Sequence, residues 1–167
     1  MRRRHILSMM GLVALSGGLP GCGFAPRQAP RMAFRSIAFN GFAPRSEIAA
    51  QLKMMFNNSP ATQLTENLTE AEVILDVLLD SPERARGTIT PAGQVRSINL
   101  LYRFKFRLRN AAGRELWPAI ELVSARSMSY NESQALGKEK EEADIFRSMQ
   151  HDLADQIMRR LAALQPL

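Results

Sequence analysis

Apolar and polar positions alternate most regularly between Tyr102 and Arg109. Tyr102, Phe104, Phe106 and Leu108 share one parity, and Arg103, Lys105, Arg107 and Arg109 share the other. A period of two marks a strand with one face on a core and the other toward polar surroundings. Ala71 to Asp80 reads as a strand ahead of it. There Val73, Leu75, Val77 and Leu79 predict a uniformly apolar face, and Ile74, Asp76, Leu78 and Asp80 a mixed one. Met32 to Phe42, with Phe34, Ile37 and Phe39, predicts a first strand. Leu116 to Tyr130, centred on Ile120, Leu122 and Val123, predicts a long last one. Pro118 has no amide hydrogen for a ladder, so this last strand should begin at an edge or a bulge. Thr90-Pro91-Ala92-Gly93 and Asn110 to Arg114, with Gly113, carry turn chemistry. The polar, Thr-rich stretch 61–70 reads as loop, and Phe24 to Arg31, with Pro26 and Pro30, as a short linker.

Two segments switch to helical spacing. Ile48, Leu52, Met55 and Phe56 form an apolar stripe after Pro44-Arg45-Ser46, a turn and helix start, and before Asn57-Asn58-Ser59-Pro60, a stop. Phe146, Met149, Leu153, Ile157, Leu161 and Leu164 recur at intervals of 3, 4, 4, 4 and 3. They predict a long amphipathic helix. It should start near Asn131, with Asn131 or Ser133 as its cap, and stop at Pro166. The expected fold class is α+β: a two-layer sandwich with two helices packed on one face of a roughly four-stranded, mostly antiparallel sheet.

The first residues follow a different logic. Arg2, Arg3 and Arg4 precede the apolar run Ile6 to Ser16, and Gly17-Gly18-Leu19-Pro20-Gly21-Cys22 follows. This is the layout of a secretory signal. Leu19 and Gly21 before the sole cysteine resemble a bacterial lipobox. That likeness implies cleavage before Cys22 and covalent N-acyl and S-diacylglycerol lipid on it, a multi-chain anchor that holds without a membrane-spanning helix. Gly23, not Asp, then implies sorting to the outer membrane, facing the periplasm. The plainer alternative is a free Cys behind an ordinary cleaved signal. The organisation expected is a signal over 1–21, lipidated Cys22 and linker over 22–31, and one domain over 32–167.

The leader also changes the charge. The 167 residues hold 22 Lys+Arg against 16 Asp+Glu, a net of +6. Removing residues 1–21 takes away three arginines and no acids, leaving 19 against 16, a net of +3 over 146 residues. Nucleic acid is therefore a poor partner, and anionic lipid or another envelope protein a better one. One Cys and two His argue against a disulfide or a zinc centre, and no cofactor beyond the attached lipid is expected.

Four candidate sites remain. Arg103, Lys105, Arg107 and Arg109 form a cationic ladder ~20 Å long, suited to phosphorylated headgroups or an acidic protein surface. Its plain alternative is a solvated face whose charges pair with Asp76, Asp80 and Glu121. Lys138 lies in the mixed-charge run Lys138-Glu139-Lys140-Glu141-Glu142, where local pairing on a helix is the plain reading. His151 and Asp155 share a helix face, but nothing marks a nucleophile or an oxyanion hole, so no enzyme is expected. Trp117 is either an exposed anchor or a core residue. Met54, Met55, Met149 and Met158 read as core fillers.

Cys22-Gly23-Phe24, the element order, the segment Ser124-Ala125-Arg126-Ser127-Met128-Ser129-Tyr130-Asn131 with Ala135-Leu136-Gly137-Lys138, and the final helix together resemble the LptE (RlpB) family of lipopolysaccharide-assembly lipoproteins. The resemblance implies a plug inside the LptD outer-membrane β-barrel that assists barrel assembly and takes part in binding and inserting lipopolysaccharide. The family's basic lipopolysaccharide-binding position falls on Lys138. A second basic position falls on Pro91, with Arg86 or Arg96 as substitutes. The alternative is an accessory lipoprotein of another envelope lipid-transport system, of the ABC type.

Overall fold

Among the described residues the alternating segment lies within a five-stranded sheet that carries two helices. In the computed structural model the elements are β1 (Ser36–Asn40), α1 (Glu47–Asn57), β2 (Gln63–Thr65), β3 (Val73–Arg86), β4 (Ser97–Arg109), β5 (Glu115–Ser129) and α2 (Ala135–Ala162). The structure describes residues 32–59, 61–131, 133 and 135–164. The leader, Cys22, the linker to Arg31 and Pro166 lie outside the described residues.

The sheet order is β2-β1-β3-β4-β5. β3, β4 and β5 form a long antiparallel meander, and β1 pairs in parallel with both β2 and β3. The two-layer α+β expectation holds, with one strand more than expected. That strand, β2, sits in the stretch 61–70 read as loop. Three residues are too few to show a period; the strand exists because its backbone finds β1, starting with the Gln63 amide on the Arg35 carbonyl at 2.8 Å.

Ser46 starts α1 as expected: its hydroxyl accepts from the Ala49 amide at 3.3 Å. α2 starts at Ala135, beyond the expected Asn131. The Asn131 carboxamide oxygen instead accepts from the Ser133 amide and hydroxyl, closing the turn that leads out of β5. Both apolar stripes reach one core. Ile48, Leu52 and Phe56 of α1 and Met149, Leu153, Ile157 and Leu161 of α2 are buried against Ile37, Val73, Leu75, Leu100, Phe104, Phe106 and Leu108. Each such side chain contributes about 1.5–3 kcal/mol by leaving water. Trp117 is half-buried against this core, and Met149 and Met158 are part of it, whereas Met54 is exposed.

β3 departs from its expected form in two ways. It continues past Asp80 to Arg86, and Pro82 is tolerated because β1 accompanies β3 only as far as Asp76. The register also shifts between Val77 and Leu79. The extra residue reverses parity. Leu79 therefore sits opposite Lys105 on the outer face, and Asp80 opposite Phe104 on the helix face. This corrects the expectation that Leu79 faces the core and Asp80 faces out. Gly41 approaches the same point: its φ is +81°, and a Cβ there would stand 2.8 Å from the Val77 carbonyl oxygen. In β5, a register shift falls where Pro118 predicted one, beside Trp117.

Candidate functional site

The cationic ladder forms on β4, but it is largely neutralised. Arg109 Nε lies 2.7 Å from Asp76 Oδ2 and Arg107 Nε 3.2 Å from it, while Asn40 donates to Asp76 Oδ1 at 2.8 Å. Arg103 holds Glu121 at 2.7 Å and reaches Glu83 at 3.5 Å. Lys105 faces Glu121 across the ladder and makes no ion pair within 4.0 Å among the described residues. Asp76 is only 5% exposed. Burial pulls its carboxyl upward, but the Arg109, Asn40 and Arg107 hydrogen bonds and the Arg109 charge outweigh this and hold it below the ordinary carboxylate value. The Arg103 hydrogen bond likewise lowers Glu121. The solvated-face reading describes this surface, with one change: Asp80 is not among its acids.

Asp80 joins the two layers on the other face. Tyr102 donates its hydroxyl to Asp80 Oδ1 at 2.6 Å, Ser46 donates to Oδ2 at 3.0 Å, and Gln150 donates to the Tyr102 oxygen at 2.9 Å. The network ties the α1 cap, β3, β4 and α2 together. Burial, then the Asp80 hydrogen bond, push the Tyr102 hydroxyl well above its ordinary value.

His151 and Asp155 are both exposed on α2, with no ion pair within 4.0 Å between them. Among the described residues no group of three His, Cys, Asp or Glu is placed to hold a metal.

The remaining basic candidates gather at the far end of the β3–β4 hairpin, where β5 ends and α2 begins. Lys138 Nζ donates to Glu141 at 2.7 Å and to the Ser129 hydroxyl at 3.1 Å, with its side chain 15% exposed. Ser129 lies opposite Ser97, one residue from Arg96. The Tyr130 amide donates to the Arg96 carbonyl at 2.9 Å. Gln94, Val95, Arg96, Tyr130 and Asn131 enclose a cleft of about 270 Å³. Arg86 is exposed at the end of β3, opposite Ile98 and so on the helix side. Arg84, two residues earlier on the same side, lies 6.0 Å from the Tyr130 ring centre and 3.5 Å from Glu142. Arg84 and Tyr130 were not singled out in the sequence; the i, i+2 spacing of Arg84 and Arg86 becomes a signal only once β3 extends past Pro82. Pro91 sits in the turn beyond, exposed. This end of the molecule offers a wall of guanidinium groups, an aromatic ring and a half-satisfied ammonium. Guanidinium and ammonium donors of this kind have the geometry and charge to hydrogen-bond phosphate or carboxylate groups.

Comparisons with known proteins agree with this fold. Residues 34–161 match the family model LptE, described as lipopolysaccharide-assembly. Among solved structures, the chain is similar to an uncharacterized lipoprotein B from Nitrosomonas europaea, at 25% identity over 84% of this chain and 91% of that one, with a TM-score of 0.71. It also resembles a minor lipoprotein from Acinetobacter baumannii, at 24% identity over 78% and 92% with a TM-score of 0.64. A third likeness is to the rare lipoprotein B from Shewanella oneidensis, at 20% identity over 77% and 95% with a TM-score of 0.65. A comparison with the curated proteins found no match.

Proposed function

The chain belongs to the LptE family of lipopolysaccharide-assembly proteins, and on that premise we propose that it is an outer-membrane lipoprotein, tethered by acyl chains on Cys22, that docks inside the LptD β-barrel. In that position it assists barrel assembly and takes part in handing lipopolysaccharide to the outer leaflet. It acts by binding and not by catalysis. The observation that carries the reading is the family match over 34–161, which runs through every strand and nearly all of α2.

The basic end supports the lipid-handling part. Arg96 lines the 270 Å³ cleft, Arg84 lies by the Tyr130 ring that also lines it, and Arg86 and Lys138 stand at the same end of the molecule, at the end of β3 and the start of α2. Phosphorylated sugar headgroups suit such a set through charge-assisted hydrogen bonds. Lys138 must exchange its Glu141 contact for the ligand. The i, i+3 pair is worth only about 0.2–0.5 kcal/mol, so that exchange costs little. The neutralised ladder of Arg103, Lys105, Arg107 and Arg109 is assigned a lesser role, as a polar surface toward the barrel wall.

Pull-down of the tagged, lipidated chain from detergent-solubilised outer membranes tests the assignment. LptD should be recovered as the large companion; recovery of the chain without any large barrel protein overturns it. Mass spectrometry of the same preparation should find Cys22 as an acylated amino terminus.

A further inference from the structure

We propose that the open edge of β5 between Ile120 and Ser129 receives an extended strand from the protein partner, whose side chains on one parity lie in the groove between β5 and α2. The proposal rests on the barrel-partner reading above and specifies where that partner is gripped. Among the described residues β5 ends the sheet and pairs only with β4. From Phe106↔Ile120 to Ser97↔Ser129 its register is unbroken. Alternate residues along that stretch thus present amide and carbonyl groups with no strand beside them.

Such an edge is normally blunted by proline, bulges, lysine or brevity. The other edges of this sheet are blunted. β2 has three residues. The part of β3 beyond β1 carries the register shift at Val77/Leu79, Pro82, and the charges Glu83, Arg84 and Arg86. The first residues of β5 carry Pro118 and two register shifts. Residues 120–129 have no proline, no lysine and no shift; their two charges, Glu121 and Arg126, are each held in an ion pair, with Arg103 and Asp152, and Val123 stands 52% exposed beside exposed Ala125 and Ser127.

Beside this edge runs a polar groove of about 390 Å³. Arg126 and Asp152 line it, 2.8 Å apart and both half exposed. Asp155 and Arg159 line it too, without an ion pair within 4.0 Å among the described residues. The groove asks for an incoming strand with an acid and a base on its inward parity. A second copy does not supply that match. Antiparallel self-pairing centred on Ala125 or Ser124 puts Arg126 opposite Ser124 or Leu122, and the one acid in the stretch, Glu121, lies on the outer face holding Arg103. Addition of a strand to an edge, with side-chain pockets giving selectivity, is a general mode of peptide capture.

Amide hydrogen exchange on the full lipidated chain, alone and in the co-isolated barrel complex, tests the proposal. Alternate amides within 120–129 should slow by about tenfold or more in the complex, while those of β3 beyond Asp80 keep their free rates. The double variant Asp155→Lys/Arg159→Glu, whose circular dichroism should match the parent, should recover at least about threefold less barrel. An intact barrel complex whose 120–129 amides exchange at the free rate overturns the edge proposal alone. A preparation without the barrel overturns both readings. Protection already present in the isolated chain and rising with its concentration identifies a second copy as the occupant and also overturns it.

Discussion

The long β3–β4 hairpin has two halves that do different things. In the near half, from Val73 to Val77, β1 lies alongside as far as Asp76, Leu75, Phe106 and Leu108 are buried, and Asp76 collects Arg107, Arg109 and Asn40. In the far half, from Pro82 to Arg86, β3 has no strand beside it on one edge among the described residues, Arg84 and Arg86 stand exposed, and exposed Arg96 lines a cleft nearby. The register shift at Val77/Leu79 divides them. The near half satisfies every charge it buries. The far half leaves cations where a ligand can take them. On the proposed function, stability and binding are thus separated along a single pair of strands.

That separation is open to attack. Phe106→Ala should lose about 3–5 kcal/mol by urea denaturation, as for other buried aromatics, against less than about 0.5 kcal/mol for Arg86→Ala. Equal losses at both ends would erase the distinction. Asp76→Asn should cost about 1–3 kcal/mol by leaving two guanidinium groups short of a carboxylate. Because the folded Asp76 carboxyl lies below its ordinary value of 3.8, its contribution is present above that pH and lost as pH falls through the lowered value. Acid titrations of stability should therefore be flatter for the variant than for the parent. Tyr102→Phe should cost about 1 kcal/mol. Its parent hydroxyl is raised above the ordinary 10.0, so the parent holds its contribution below pH 10 and loses it as pH climbs through the raised value. The variant should show no such alkaline step.

Lys138→Glu belongs to the far half. It should weaken lipopolysaccharide retention on the immobilised chain without altering circular dichroism; an unchanged affinity would remove Lys138 from the site. His151→Ala should move neither retention nor stability by more than about 0.5 kcal/mol, and a loss of function there would reopen catalysis.

Much of the architecture was legible in the residues. Tyr102 to Arg109 alternates cleanly because β4 has one face in the core and one in water, so each residue reports its own side. The stripe from Phe146 to Leu164 was equally plain. Pro118 announced its irregularity because a missing amide has a local consequence. The candidate site was legible only in pieces. Lys138, Arg86 and Arg96 were each visible as cations, but they are separated by up to 52 positions along the chain, and no local period reports which strand ends meet.

The sequence by itself determined both helices and the four longer strands, which side of β4 is charged, and that catalytic and metal-binding residues are scarce. Those properties follow from local periodicity and composition. Tertiary structure alone decided that Gln63–Thr65 is a strand, that Asp80 faces inward, that the ladder's arginines are answered by acids from neighbouring strands, and that the cations of β3, the β3–β4 turn and α2 share one end. Each depends on register between distant segments, where a single inserted residue turns a side chain to the opposite face.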